Sequence, residues 1–201
     1  MPFKSSEIRW FSTQKDALWE FYETLPDEGE GTREPDRTDY YLKSGTVTTG
    51  IKIREGNHEL KVKCSDDEKW NCGVMEHWMK WSTSEEVNIL NTVDDEFLGD
   101  WVAVKKKRFK KSYKIISGEK LEQVEGIFPA EGCGAEFTEI HLKRLKHPVY
   151  TFGMEAFSSS GRERENLVCA IEILGLDFSP FKEFDSYGYP QLLLDLSKET
   201  V

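Results

Sequence analysis

No stretch of this 201-residue chain is long and apolar enough to span a membrane, and its opening MPFKSSEIRW has no apolar core of the kind a secretory signal needs. Cysteine is scarce. Cys64, Cys72, Cys133 and Cys169 form no Cys-x-x-Cys pair, which argues against a disulfide or zinc framework and leaves reduced thiols of a cytoplasmic protein as the expectation. His58, His77, His141 and His147 are scattered, with no His-Glu-x-x-His. Positive charge is in the minority: 27 Lys and Arg against 37 Asp and Glu give a net charge of -10, which opposes loose nucleic-acid binding through bulk electrostatics. The sequence also lacks a linker that would split it, an internal repeat, and any low-complexity tract beyond one lysine run, so residues 1–201 read as one domain.

What is present is aromatic: six Trp, twelve Phe and seven Tyr favour a globular core despite 32% charged residues. EIRWF (7–11) alternates like a strand, and STQKDALWEFYETL (12–25) predicts a helix with Ser12 or Thr13 as N-cap and a stripe of Leu18, Phe21, Tyr22 and Leu25. A polar loop follows (26–37). Strands are expected over 38–43, 46–54, 58–64, 73–82, 101–115, 121–128, 135–142 and 149–157, with 65–72 a loop. Helices are expected over 84–99, at least at its start, over 162–174 and over 191–199. About eight antiparallel strands with few helices indicate a mainly β, α+β fold, a barrel or a strongly curved sheet.

GIKIREGNHELKVK (50–63) crowds Lys52, Arg54, Lys61 and Lys63 into one hairpin. A connection around Gly56-Asn57 pairs Arg54 with Glu59 and Lys52 with Lys61. All the charged side chains then share one face, and Ile51, Ile53, Leu60 and Val62 take the other. Lys52 and Lys61 would stand about 5 Å apart, repelling by roughly 3 kcal/mol at an effective dielectric near 20. Either that face is open to water and the stems splay apart, or it encloses an anion site where phosphate oxygens neutralise the crowd. KKKRFKKSYK (105–114) adds Lys106, Arg108 and Lys110 on one side of a second strand and Lys105, Lys107 and Lys111 on the other. Flanked by WVAV and SYKI, it reads as strand and not as a flexible targeting tail. A third reading, RNA binding with Phe109 and Tyr113 stacking on bases, predicts steep salt dependence and is opposed by the net charge.

The order of these pieces is similar to the CYTH family, the triphosphate tunnel metalloenzymes. Glu7-Ile8-Arg9-Trp10-Phe11 stands where that family opens with Glu-x-Glu-x-Lys. Lys52-Ile53-Arg54, Leu60-Lys61-Val62-Lys63 and Lys106-Lys107-Arg108 resemble its basic strands. Phe137-Thr138-Glu139-Ile140-His141 takes the place of its carboxylate strand, and Ser186-Tyr187-Gly188-Tyr189-Pro190-Gln191-Leu192-Leu193 looks like a stretched terminal motif. The resemblance implies an eight-stranded antiparallel β tunnel with a wet, charged lumen and helices over an apolar outer wall. It implies a small anionic phosphate compound as partner, a triphosphate or other polyphosphate, held by Arg9, Lys52, Arg54, Lys61, Lys63, Lys80, Lys106 and Arg108. It further implies Mg2+ or Mn2+ on Glu7 and Glu139, and possible triphosphate hydrolysis.

The chain departs from the pattern in its carboxylates. Arg9 and Phe11 follow Glu7, His141 stands beside Glu139, and GVMEHWMKW offers Glu76, Trp78 and Lys80 where relatives alternate Arg and Glu. A hard cation needs several carboxylates beside the phosphate. Glu7 and Glu139 either ligate one metal ion or form ion pairs with neighbouring cations, and Glu136 and Glu155 are carboxylates in reserve. A catalytically reduced phosphate-binding or sensing module is the alternative to a phosphohydrolase.

Overall fold

The computed structural model describes residues 2–26, 32–70, 72–83, 100–116, 120–125 and 129–198. It contains strands β1 (Phe3–Ser12), β2 (Thr32–Leu42), β3 (Thr49–Arg54), β4 (Asn57–Lys63), β5 (Glu68–Trp70), β6 (Gly73–Thr83), β7 (Trp101–Ile116), β8 (Lys120–Gln123), β9 (Glu131–His141), β10 (Val149–Ser158) and β11 (Asp185–Ser186). Helices are α1 (Lys15–Thr24), α2 (Glu163–Ile173) and α3 (Tyr189–Lys198). Strand order β1-β10-β9-β7-β2-β3-β4-β6 returns to β1 through a further β1–β6 pairing, closing an antiparallel barrel of eight strands. The expected fold class is what the structure has. The helix expected over 84–99 and the end of the strand expected over 121–128 lie outside the described residues. Among the described residues, no helix is long and apolar enough to cross a membrane.

The pleat assigns every other residue of β1 to the lumen: Glu7 and Arg9 face in, while Ile8 and Trp10 face out and are fully buried. Outside the wall, α1 and α2 pack on β9 and β10, and the aromatic ring of Trp10 meets Phe178 and Phe181 at 4.5 and 5.2 Å. Burying each such side chain contributes about 1.5–3 kcal/mol. The stripe of α1 is as expected, with Leu18, Tyr22 and Leu25 in this outer core and Phe21 packed against it. The cap is different. Gln14 is the N-cap residue and makes no side-chain cap bond, while the Ser12 hydroxyl accepts from the Gln14 N–H at 2.9 Å. At the other end Lys111 donates to the Leu25 carbonyl at 2.8 Å, a cation on the negative end of the helix.

The β3–β4 hairpin keeps the expected faces but not the expected register. Arg54 pairs with Asn57 and Lys52 with Glu59, so the turn is Glu55-Gly56, one residue before the Gly56-Asn57 reading, and each cross-strand partner shifts by two residues. Both turn residues have positive φ, 49° and 79°, as a two-residue type I′ turn demands. The shift replaces the anticipated Lys52–Lys61 repulsion with an ion pair between Lys52 and Glu59 at 2.9 Å. Lys61 instead stands opposite Lys80 on β6. Glu55 is an exposed non-glycine residue in left-handed conformation, so Glu55→Asn is expected to stabilise the fold by about 0.5–1 kcal/mol. An unchanged denaturation midpoint would show that the backbone at 55 carries no strain.

Candidate functional site: a basic well inside the barrel

The barrel encloses a cavity of about 210 Å³. Its wall carries Arg9 from β1, Arg37 from β2, Lys52 and Arg54 from β3, Lys61 from β4, Lys80 from β6, and Lys106, Arg108 and Lys110 from β7. Against these cations it sets Glu7, Glu59, Glu136 and Glu155. Of the eight phosphate ligands anticipated from sequence, seven line this cavity. The eighth, Lys63, lies on the same face of β4 but bonds Asp67 at 2.6 Å and Glu76 at 2.9 Å instead of lining the space.

Beneath the wall lies a carboxylate that sequence reasoning did not single out. The Asp39 side chain is wholly buried, with Arg37 Nε at 2.7 Å, Lys106 Nζ at 3.0 Å, Arg54 Nε at 3.7 Å and Lys52 Nζ at 3.8 Å. Burial alone would raise its pKa, but the surrounding cations, Lys106 foremost, outweigh it and hold the carboxyl well below the usual range. The same crowding acts on the lysines. Burial pushes Lys106 down to about 7 and, with Arg54 close by, Lys52 down to about 8. Lys106 also donates to the Tyr41 hydroxyl at 2.8 Å and lies 3.8 Å from the centre of the Tyr189 ring.

The other carboxylates are engaged in the same way. Glu59 holds Lys52 and Arg54, the latter at 3.0 Å. Glu136 accepts from Thr138 and approaches Arg9 at 3.7 Å and Arg108 at 3.5 Å. The Arg9 guanidinium lies flat on Gly153, where an added Cβ would come within 2.8 Å of Arg9 Cζ, so glycine at that position leaves it room. Glu7 binds the Lys61 ammonium and stands opposite Glu155 on β10 and Glu76 on β6. Burial, then the facing Glu155, raises the Glu7 pKa. Glu76 accepts from the Trp78 indole at 3.1 Å and from Lys63.

Glu139 is not among these groups. β9 turns Glu136 inward and Glu139 outward, where Glu139 pairs with Lys107 at 3.0 Å and with His141. Odd positions face out here because Phe137 is buried against Trp19 and Tyr22 of α1. The proposed Glu7–Glu139 metal pair therefore straddles the wall. Glu155, one of the reserve carboxylates, is the one that meets Glu7 inside. Among the described residues no group of three or more His, Cys, Asp or Glu side chains is arranged to hold a metal ion. Glu7 and Glu139 do not fit a shared Mg2+ or Mn2+ ion, because the two carboxylates face opposite sides of the wall.

The RNA reading also loses its aromatics. Phe109 packs on Trp19 at 4.8 Å, and Tyr113 is buried with its hydroxyl on the Pro26 carbonyl at 3.0 Å. Lys107 and Lys111 are consumed on the outer wall by Glu139 and by the end of α1. Among the described residues, Cys64, Cys72, Cys133 and Cys169 form no disulfide.

Two observations leave this site incomplete as it stands. Among the described residues, the buried Arg54 Nε, Arg108 Nε and Tyr189 hydroxyl find no hydrogen-bond partner. Lys80 and Lys110, both lining the cavity, have no carboxylate at ion-pair distance among the described residues. The structure thus defines a closed barrel whose inner face is a partly neutralised cation cluster. No protein-family model and no curated protein matches the chain.

Proposed function

We propose that this chain is a divergent CYTH-like barrel that binds a triphosphate or other polyphosphate compound in its basic well, as a binding or sensing module without metal-dependent turnover. The observation that carries the reading is the convergence of cations from six strands on one enclosed space, in excess of the carboxylates that face it. A compact polyanion would supply charge-assisted acceptors to Arg54, Arg108, Lys80 and Lys110 and would share Arg9, Lys52 and Lys61 with the carboxylates that hold them, contacts worth about 1.5–3 kcal/mol each. The N-terminal turn of α3, with Gly188, Tyr189 and Pro190 on the cavity, adds the positive end of a helix dipole.

Titration with inorganic tripolyphosphate and with ATP tests this. Each is expected to raise the melting temperature by about 5–10 °C at a hundredfold excess over its Kd, equally in EDTA and in Mg2+, while sulfate at the same concentration does less. No divalent-dependent phosphate release should accompany binding. Affinity should fall as pH rises from 7 to 9, because Lys106 and Lys52 lose their charge in that window unless an anion retains it. Absence of a shift with every phosphate compound would refute binding; phosphate release requiring Mg2+ would refute the lack of turnover.

A further inference from the structure

Lys106 differs from the other cations of the well in its surroundings. Its ammonium meets Asp39 Oδ2 at 3.0 Å and the Tyr41 hydroxyl at 2.8 Å on β2, and lies 3.8 Å from the centre of the Tyr189 ring on α3. The residue is 5% exposed and lines the cavity, so what it exposes faces the lumen. Arg37, Arg54 and Lys52 gather on the same Asp39 carboxylate, within 3.8 Å of its oxygens. An amine cut off from water and set among charges of its own sign gives up its proton easily, the condition that makes a lysine nucleophilic. Burial and the Lys52 charge bring Lys106 down to about 7, although Asp39 and Glu136 pull the other way. An exposed lysine stays near 10.4. Lys52 is the nearest competitor, but it is clamped between Glu59 at 2.9 Å and Asp39 at 3.8 Å.

We infer that Lys106 is a Schiff-base lysine, whose amine condenses in this cavity with a small carbonyl compound bearing a carboxylate on the carbonyl carbon, a 2-oxo acid. The inference goes beyond phosphate binding and does not depend on it, although both draw on the same cations. The free amine adds to the carbonyl carbon and a C–N bond forms. Both N–H protons then leave with the carbonyl oxygen as water, and the C=N bond remains. The imine takes a proton from solvent, and the iminium faces Asp39 as the ammonium did before. No oxidant or reductant is needed. The substrate class follows from the neighbours. Lys52 and Arg54 stand on the same carboxylate as Lys106, so an anionic group one bond from the reacting carbon reaches them. Arg54 Nε finds no hydrogen-bond partner among the described residues and is ready to donate. A cavity of about 210 Å³ suits a molecule of a few heavy atoms and shields the imine from bulk water.

The test treats the full chain with glyoxylate and cyanoborohydride at pH 7, which traps an imine as carboxymethyl-lysine, and maps the peptides by mass. Lys106 should be labelled at least about tenfold faster than any other lysine. Its rate should level off above about pH 8, while labelling of surface lysines climbs on towards pH 10. With acetaldehyde, which lacks the carboxylate, the ratio of Lys106 to surface labelling should be at least about fivefold lower. Equal ratios for the two aldehydes would overturn the 2-oxo acid assignment. Lys106→Arg, checked for folding by circular dichroism, should lose the fast adduct, whereas Lys107→Arg on the outer wall should keep it. Label spread over exposed lysines, or placed on Lys52, with Lys106 of the parent protein unmodified, would contradict the proposal. That result in a protein that still binds tripolyphosphate would leave the phosphate reading intact, and fast labelling of Lys106 in a protein that binds no polyphosphate would support the Schiff-base assignment alone.

Discussion

Asp39→Asn is expected to destabilise the protein by about 3–5 kcal/mol, the usual cost of removing one member of a buried ionic set. The carboxylate is fully enclosed and has four cationic side chains within 3.8 Å. Asparagine keeps the shape and one acceptor but leaves those cations to repel one another in a poorly solvated space. Lys106, already down at about 7, has the readiest escape: it releases its proton. The deficit of the variant should therefore shrink as pH rises from 7 to 9, a trend that a purely steric effect would not give.

For the parent protein the sign runs the other way at low pH. The folded Asp39 pKa lies below its unfolded value near 4, so its stabilisation is complete above that value and is lost as pH falls further. Denaturant unfolding of both proteins across pH 3–9 measures these effects. A difference under about 1 kcal/mol, flat with pH, would mean that Asp39 does not hold the cations together.

Lys52→Ala/Lys61→Ala is expected to weaken tripolyphosphate binding by about 10² to 10⁴-fold, the loss of two charge-assisted contacts in a partly buried site. The effect on folding should be far smaller than that of Asp39→Asn. Lys52 is one of several cations on Asp39 and Glu59, and Lys61 leaves behind a Glu7 whose pKa is already raised and which takes up a proton. Lys105→Ala/Lys107→Ala, on the outer face of the same barrel, is the matched control and should leave binding within about threefold. If both double variants lose affinity alike, the effect is one of overall charge and the lumen has no special part.

The alternation of strands was legible because this barrel turns its charge inward and its apolar side chains outward. Lys52, Arg54, Lys61, Lys106 and Arg108 could be assigned to one face from parity alone, and all five line the cavity. Register was less accessible. Gly56-Asn57 looked like the turn, whereas the chain accepts Glu55 in left-handed conformation, and the resulting two-residue shift of cross-strand partners decides which lysine meets which carboxylate.

Glu136 and Glu139 have opposite parity on β9, and nothing local distinguishes them. The choice is made by Phe137, which α1 covers, and it is a tertiary fact. Asp39 lies just past the stretch 26–37 expected as a polar loop, whereas β2 already begins at Thr32 and carries an irregularity between Glu34 and Arg37. The signal that was present is Arg37, Asp39 and Tyr41 in alternate positions, a charged pair next to an aromatic that buries. The apolar run of α3 was visible as a helix, but its position as the closure of the barrel depends on Phe11, Val104 and Ile140 lying on the inner face.

A crystal structure of the protein soaked with tripolyphosphate tests the central claim most directly. The account predicts phosphate density inside the barrel, with oxygens at about 2.7–3.2 Å from the nitrogens of Lys52, Lys61, Arg54 and Arg9. Phosphate found on the outer wall beside Lys105 and Lys107, with the lumen holding water alone, would contradict it.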